Sequence, residues 1–343
     1  MARTGTAGKL DSAQKRYRPT GVAVGTLKKF LEDGSSYMAA MIAFWAFFSV
    51  FPLFLLLMSL LGYLLPASTK SDVLHHVAAL FPMLDPSTVG HLSGSAWTAI
   101  LGGVTALWSG TAVMRTAQYA FNSAWEVPMR ERPKMVEKLK RALFALSTIG
   151  VGLVVSVIIS DFVTGRDNGV DLGMGGRIAG YVVAAALDVG LFVVAFKVLT
   201  DRKVSFRDVL PGAVLSGVAF WVLEQLSSFI ISRHLQNAQS TYGHFATVIT
   251  ILWWFYIQAV ITMLGAQLNV VLRRRLYPRS LSDPTETGAD RRALRDYAAS
   301  RAYAGEGQQE VQVHFPGRRG DEEERDRRDE PAIYYEDRRR RAR

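Results

Sequence analysis

Apolar residues in this chain come in unbroken runs, not in alternation, and the runs match the thickness of a bilayer. From Met38 to Leu65 no side chain carries a charge. Further runs cover roughly 96 to 117, 142 to 164, 178 to 199, 209 to 231 and 245 to 271, and the first begins near 38 and ends near 64. A hydrocarbon core about 30 Å thick is crossed by about 20 helical residues. Membrane strands would instead alternate over about ten residues, which segments such as Phe47 to Leu61 do not. The pattern predicts an all-α polytopic membrane bundle with six transmembrane helices.

Two stretches outside the runs have helical apolar spacing. Val22, Leu27, Phe30 and Leu31 share one face of a short helix with Lys28 and Lys29 beside it, the pattern of a segment in the membrane interface or packed on the bundle. Val73, Leu74, Val77, Leu80, Phe81 and Leu84 suggest a second surface helix. From Ser282 onward apolar residues thin out and charges of both signs alternate, which predicts a disordered tail. The division is therefore an N-terminal segment 1–36 with an interfacial helix, a membrane domain 37–272, and a charged tail 273–343, whose Arg338 to Arg341 could meet anionic lipid.

Charge then sets the orientation. The 40 Lys and Arg against 30 Asp and Glu leave +10, and cytoplasmic loops of membrane proteins collect basic residues. Lys28 and Lys29 precede the first span, Arg130, Arg132, Lys134, Lys138, Lys140 and Arg141 follow the second, and Arg202, Lys203 and Arg207 follow the fourth. The other connections are poor in both, so both termini are expected in the cytoplasm. This topological use of the charge argues against nucleic acid as a partner. The first apolar run is too long for a cleavable signal peptide. With no cysteine there is no disulfide, thiol nucleophile or thiolate metal site.

Ionisable groups within spans are costly and mark candidate sites. Asp188 and Glu224 lie, counted from the outer ends of their spans, roughly 15 and 12 Å deep at the helical rise. With Gln225 and Gln258 they form a candidate polar layer, which either binds a cationic group or proton or serves as interhelical glue. Thr111, Arg115, Gln118 and Asn122 form a stripe on the second span, read either as inner-mouth contacts for a headgroup or as an arginine snorkelling to the interface. Pro52 should kink the first span. Gly102, Ala106 and Gly110 form a ridge for close packing, and Trp253 to Tyr256 are too deep for an interfacial belt.

Catalytic patterns are missing from the sequence. The six histidines have no metal-binding spacing, no nucleophile elbow occurs, and Gly173-Met174-Gly175-Gly176 lacks the further residues of a phosphate-binding loop. No cofactor, no metal and no enzymatic activity are expected.

Several short motifs resemble, in order, the YihY/BrkB family of bacterial inner-membrane proteins, once labelled ribonuclease BN. They are Phe51-Pro52-Leu53; Ala120-Phe121-Asn122-Ser123-Ala124-Trp125 with Arg130 and Pro133; Phe206-Arg207-Asp208 through Pro211-Gly212-Ala213 to Glu224; Tyr242-Gly243; and Leu264-Gly265-Ala266-Gln267-Leu268-Asn269. At Gln267 the family usually has Glu, so a charge is missing. The resemblance implies six membrane helices and links to envelope lipid or lipopolysaccharide export and to serum resistance, with the ribonuclease label a misattribution. The expected function is a transporter or flippase-like protein for an amphipathic or lipid-linked envelope molecule, with membrane lipids as partners and the oligomeric state open. A scaffold recruiting partners through its tail is the rival, and a membrane-bound enzyme the third reading.

Overall fold

The computed structural model describes residues 17–64, 96–164, 173–226, 245–281 and 287–301, together with Gln14, Val313 and Phe315. Regular structure among the described residues is entirely helical: α1 (Arg18–Glu32), α2 (Ser35–Leu64), α3 (Ala96–Ala124), α4 (Met135–Thr164), α5 (Gly173–Val198), α6 (Phe206–Gln225), α7 (Ala246–Arg273) and α8 (Gly288–Ser300), with a 3-10 turn at Met129–Glu131. Four stretches are long and apolar enough to cross a membrane: Ser35–Leu53, Met174–Val198, Phe206–Leu223 and Val248–Arg273. The expected second and third spans fall on α3 and α4. These helices are 29 and 30 residues long.

Helices α2 to α7 form a closed ring in which each packs on the next and α7 returns to α2; α7 also touches α1 and α3. Burial runs opposite to that of a water-soluble protein. Trp97, Val104, Phe144, Val151, Met174 and Val182 are exposed on the outside, whereas Ser109, Asp188, Ser216, Thr250, Gln267 and Asn269 are buried. An outer surface of that kind suits hydrocarbon, and small or polar residues then make the helix contacts. Ala39, Ala117, Ala120, Ala145, Ala213, Ala259 and Ala266 fill the core around Phe121, Phe196 and Met263.

Glycine sets the closest crossings. A Cβ on Gly212 of α6 would lie 2.0 Å from the Gly265 carbonyl of α7, and one on Gly265 would lie 2.0 Å from Ser216 Oγ. The Gly212 N–H donates to Asn269 Oδ1 at 2.6 Å. Gly217 likewise sits against the backbone of Val189 on α5. The expected Gly102 to Gly110 ridge is divided: Gly102 meets the α2 backbone at Leu56, while Gly110 meets Leu146 of α4. Eight residues turn a helix by about 80° past two full turns, enough to face a different neighbour. Pro52 lies inside a continuous α2.

Two sequence expectations need correction. In α1 the buried face is Gly21, Gly25, Thr26, Lys29 and Phe30, while Leu27 and Leu31 point outward; Gly25 comes so close to the Leu276 carbonyl that a Cβ would lie 2.7 Å from it. Lys29 goes inside because carboxylates wait there. The second correction concerns the tail, since residues 288–300 form α8, which is docked and not disordered. Thr287 caps it, accepting from the Asp290 N–H at 3.1 Å, a Thr-x-x-Asp signature visible in the sequence. Phe315 returns under Arg291 and Arg295. The Val73 to Leu84 segment and Arg338 to Arg341 lie outside the described residues.

Both α3 and α7 end in a left-handed residue that is not glycine: Glu126 at φ 51° and Arg275 at φ 52°. The Val127 N–H reaches the Asn122 carbonyl and the Leu276 N–H reaches the Val271 carbonyl, both at 2.9 Å, which closes each helix in a Schellman turn. Glycine suits that position better. Arg275→Gly is expected to stabilise the protein by about 1 kcal/mol, read as a higher unfolding midpoint in detergent; a lower midpoint would refute the strain.

Candidate functional site: the charged end of the bundle

The turn between α1 and α2, the ends of α3 and α7, and α8 gather at one end of the ring. Lys29, only 1% exposed, lies 2.8 Å from both Asp33 and Glu126, and its ammonium sits 5.0 Å from the centre of the Tyr297 ring. Gln267 Nε2 donates to Asp33 Oδ2 at 2.7 Å and to Ser35 Oγ at 2.8 Å. Around this centre Arg279 binds Glu32 at 2.7 Å and Asp290 at 2.9 Å. Lys28 reaches Asp290 at 3.0 Å, and Arg274 pairs with Asp296 at 2.6 Å while donating to the Trp125 carbonyl.

Within this network, among the described residues, five carboxylates meet four cations. The imbalance falls at Asp33 and Glu126, which share Lys29. Asp33 Oδ1 is buried with no hydrogen-bond partner. A cleft of about 370 Å³ opens there, lined by Glu32, Asp33, Glu126, Tyr119 and Tyr297, with Arg132 and Arg301 also on its wall.

Electrostatics follows burial. Desolvation pushes the Glu126 carboxyl above its ordinary 4.5, against the attraction of Lys29 and with the repulsion of Asp33 adding to the rise. The folded protein therefore binds this proton more tightly than the unfolded chain does, and Glu126 makes stability fall as pH rises from 4.5 through the raised value. Glu126→Gln is expected to flatten that part of the pH profile of the unfolding midpoint; an unchanged slope would assign it to other groups. Burial and the adjoining carboxylates push the Tyr297 phenol far up, so its hydroxyl stays protonated and donates to Glu32 at 3.1 Å. Burial works against the charge on Arg279, but Glu32 and Asp290 more than offset it.

A second polar knot ties α3 to the connection between α5 and α6 at the same end. Asn122 donates to Asp201 Oδ2 at 2.6 Å and accepts from the Asp201 N–H at 2.7 Å, while Arg141 of α4 holds the other oxygen at 2.9 Å. Burial raises the Asp201 carboxyl, and Asn122 and Arg141 oppose the rise.

The family model described as Virulence factor BrkB matches residues 26–289, from the buried face of α1 to the start of α8. The chain belongs to the BrkB family. It is 28% identical to the ribonuclease-like protein YfkH of Bacillus subtilis (strain 168), over 71% of this chain and 92% of that one. It is 27% identical to UPF0761 membrane protein Nmul_A0452 of Nitrosospira multiformis over 54% of this chain, and 24% identical to UPF0761 membrane protein PSHAa0171 of Pseudoalteromonas translucida over 52%. Of those two relatives the chain spans only 42% and 58% of the length. No solved structure matches.

Three of the BrkB-family motifs, Ala120 to Trp125, Phe206 to Ala213 and Leu264 to Asn269, meet at the charged end. Pro211-Gly212-Ala213 packs on Gly265 and Asn269, and Asp208 binds Arg273 at 3.0 Å. Trp125 is buried against Val270, Val271 and Leu276. Gln267 contacts Asp33, so a glutamate in its place would set one more carboxylate against an acid already short of partners. Tyr242 and Gly243 lie outside the described residues.

The mid-span candidates are arranged differently from the sequence count. Asp188 is buried on α5, and Gln258 is half-buried on α7, its carbonyl accepting from Thr262. The side chains of Glu224 and Gln225 lie outside the described residues. In backbone register, Val189 of α5 lies beside Gly217 of α6. The antiparallel pairing then sets Glu224 beside residue 182, about 9 Å from the level of Asp188 at the helical rise. Counting in from the span ends predicts equal depth, whereas this crossing sets a different register. Gln118 donates to the Lys138 carbonyl at 3.1 Å, so it and Asn122 tie α3 to its neighbours. Arg115 is half-buried, with Nε buried and without a hydrogen-bond partner. Lys29, Asp33, Glu126, Arg279 and Asp290 are not legible in the sequence as one site, because they are scattered along it and each reads singly as a surface charge.

Proposed function

We propose that this BrkB-family protein is a non-enzymatic transporter or flippase-like protein of the bacterial inner membrane, with six spans and both termini in the cytoplasm. Its cargo is an amphipathic or lipid-linked envelope molecule. The observation that supports this most directly is the cleft at the charged end, where the buried Asp33 Oδ1 has no hydrogen-bond partner and Asp33 and Glu126 share Lys29. Perturbed, incompletely satisfied acids lining a cleft are candidates for a functional site. The basic connections lie at the charged end, and the positive-inside rule supports a cytoplasmic side for it.

Reconstitution into liposomes with labelled lipids tests the reading. Translocation above that of protein-free vesicles is expected, with Glu224→Gln and Asp188→Asn folding normally but slowing it. Absence of translocation across a broad panel of lipids would favour the scaffold. Truncation separates the two readings only if it spares the docked segment: removing residues 316–343 is expected to leave transport intact, whereas a scaffold would lose its function.

A further inference from the structure

A second cleft, of about 290 Å³, lies where the ends of α1, α6 and α7 meet, and four arginines line it: Arg18, Arg207, Arg273 and Arg275. The single carboxylate on its wall, Asp208, is held by Arg273 at 3.0 Å and by the Ser205 N–H at 2.9 Å. Arg18 is fixed over Tyr277, donating to its hydroxyl at 2.9 Å from Nη2. Among the described residues, the Arg207 and Arg275 guanidinium groups meet no carboxylate. Gathering this much positive charge in one concavity costs free energy unless an anion joins it.

Arg275 adds a separate argument. It occupies the left-handed position where glycine would be more stable, and its side chain is exposed and lines the cleft. Backbone strain maintained at an exposed side chain marks a role for that side chain. Below the cleft, on the α6 face that begins with Arg207 and Pro211, Val214, Leu215, Val218 and Val222 are exposed. Their spacing of three and four continues the same face along the helix. A charged head at the helix end with an apolar strip running away from it has the shape of a phospholipid, not of a free anion.

We infer that the Arg18, Arg207, Arg273 and Arg275 cleft binds the phosphate of an anionic phospholipid headgroup, with the acyl chains lying along the outer face of α6. Guanidinium forks match phosphate oxygens in pairs, and the N-terminus of α6 at Arg207 adds its own positive end. The site is separate from the acid-lined cleft, and its occupancy does not depend on transport.

The test uses the full chain in nanodiscs containing phosphatidylglycerol and phosphatidylcholine, with retained lipid counted by native mass spectrometry after transfer to neutral detergent. Preferential retention of phosphatidylglycerol is expected. Arg207→Ala and Arg275→Gly should each weaken it about five-fold, the effect of one basic group at an anionic surface, while phosphatidylcholine is unchanged. Arg275→Gly should at the same time unfold at a higher temperature, so weaker binding there cannot be ascribed to damage. Equal retention of the two lipids, or full retention by the double variant, would overturn the assignment. So would displacement of phosphatidylglycerol by inorganic phosphate at equal concentration, since the acyl chains would then contribute nothing.

Discussion

Lys29→Met is expected to cost about 3–5 kcal/mol of stability, because it leaves two buried carboxylates facing each other without the cation between them. Asp33 and Glu126 have side chains only 3% and 8% exposed, so solvent screens them weakly. Methionine fills the same volume and removes only the charge, which separates electrostatics from packing. Adding Glu126→Gln to Lys29→Met should recover a substantial part of the loss, since it removes one of the two stranded charges; Tyr297→Phe should not. Unfolding of the purified protein in detergent measures all three. A loss below about 1 kcal/mol for Lys29→Met would place these groups in the range of surface ion pairs and would remove the basis for the acid-lined cleft.

Gly212→Ala is expected to be at least as damaging, for a steric reason. The new methyl group would lie 2.0 Å from the Gly265 carbonyl and 2.6 Å from the Asn269 amide carbon. Overpacking costs about 1–3 kcal/mol where side chains can yield, but a backbone carbonyl yields only if α6 and α7 separate. Separation would also break the bond from Gly212 N–H to Asn269. The expected outcome is a loss above about 3 kcal/mol, seen as a sharp drop in monodisperse protein after detergent extraction. Gly150→Ala is the matched control: a Cβ there meets nothing within 4 Å, and alanine in a helix is better than glycine by about 0.5–1 kcal/mol. If the two substitutions behave alike, the close crossing of α6 and α7 is not what holds the ring together.

The acid cluster and the glycine crossing were unequally legible in sequence. Gly212 and Gly265 stood within motifs that resemble the BrkB family, so their positions were marked although their mutual contact was not. Lys29 and Asp33 carried no mark, since a lysine beside a short amphipathic helix reads as a solvated flank. Asp290 sat in a stretch with the composition of a disordered tail. Only its Thr287-x-x-Asp290 cap hinted at a helix, and no local signal could say that this helix docks on the α1 end.

What the sequence determined alone was the solvent and the regular structure: long uncharged apolar runs exclude water from the spans and oblige their backbone to satisfy itself as helix. Those are local properties, carried by composition over a few turns. Tertiary structure alone decided which charges were buried, which acids shared a level and where the two clefts lie. Each of those depends on register between helices far apart in sequence, and in this bundle register is set by where glycine lets one backbone touch another.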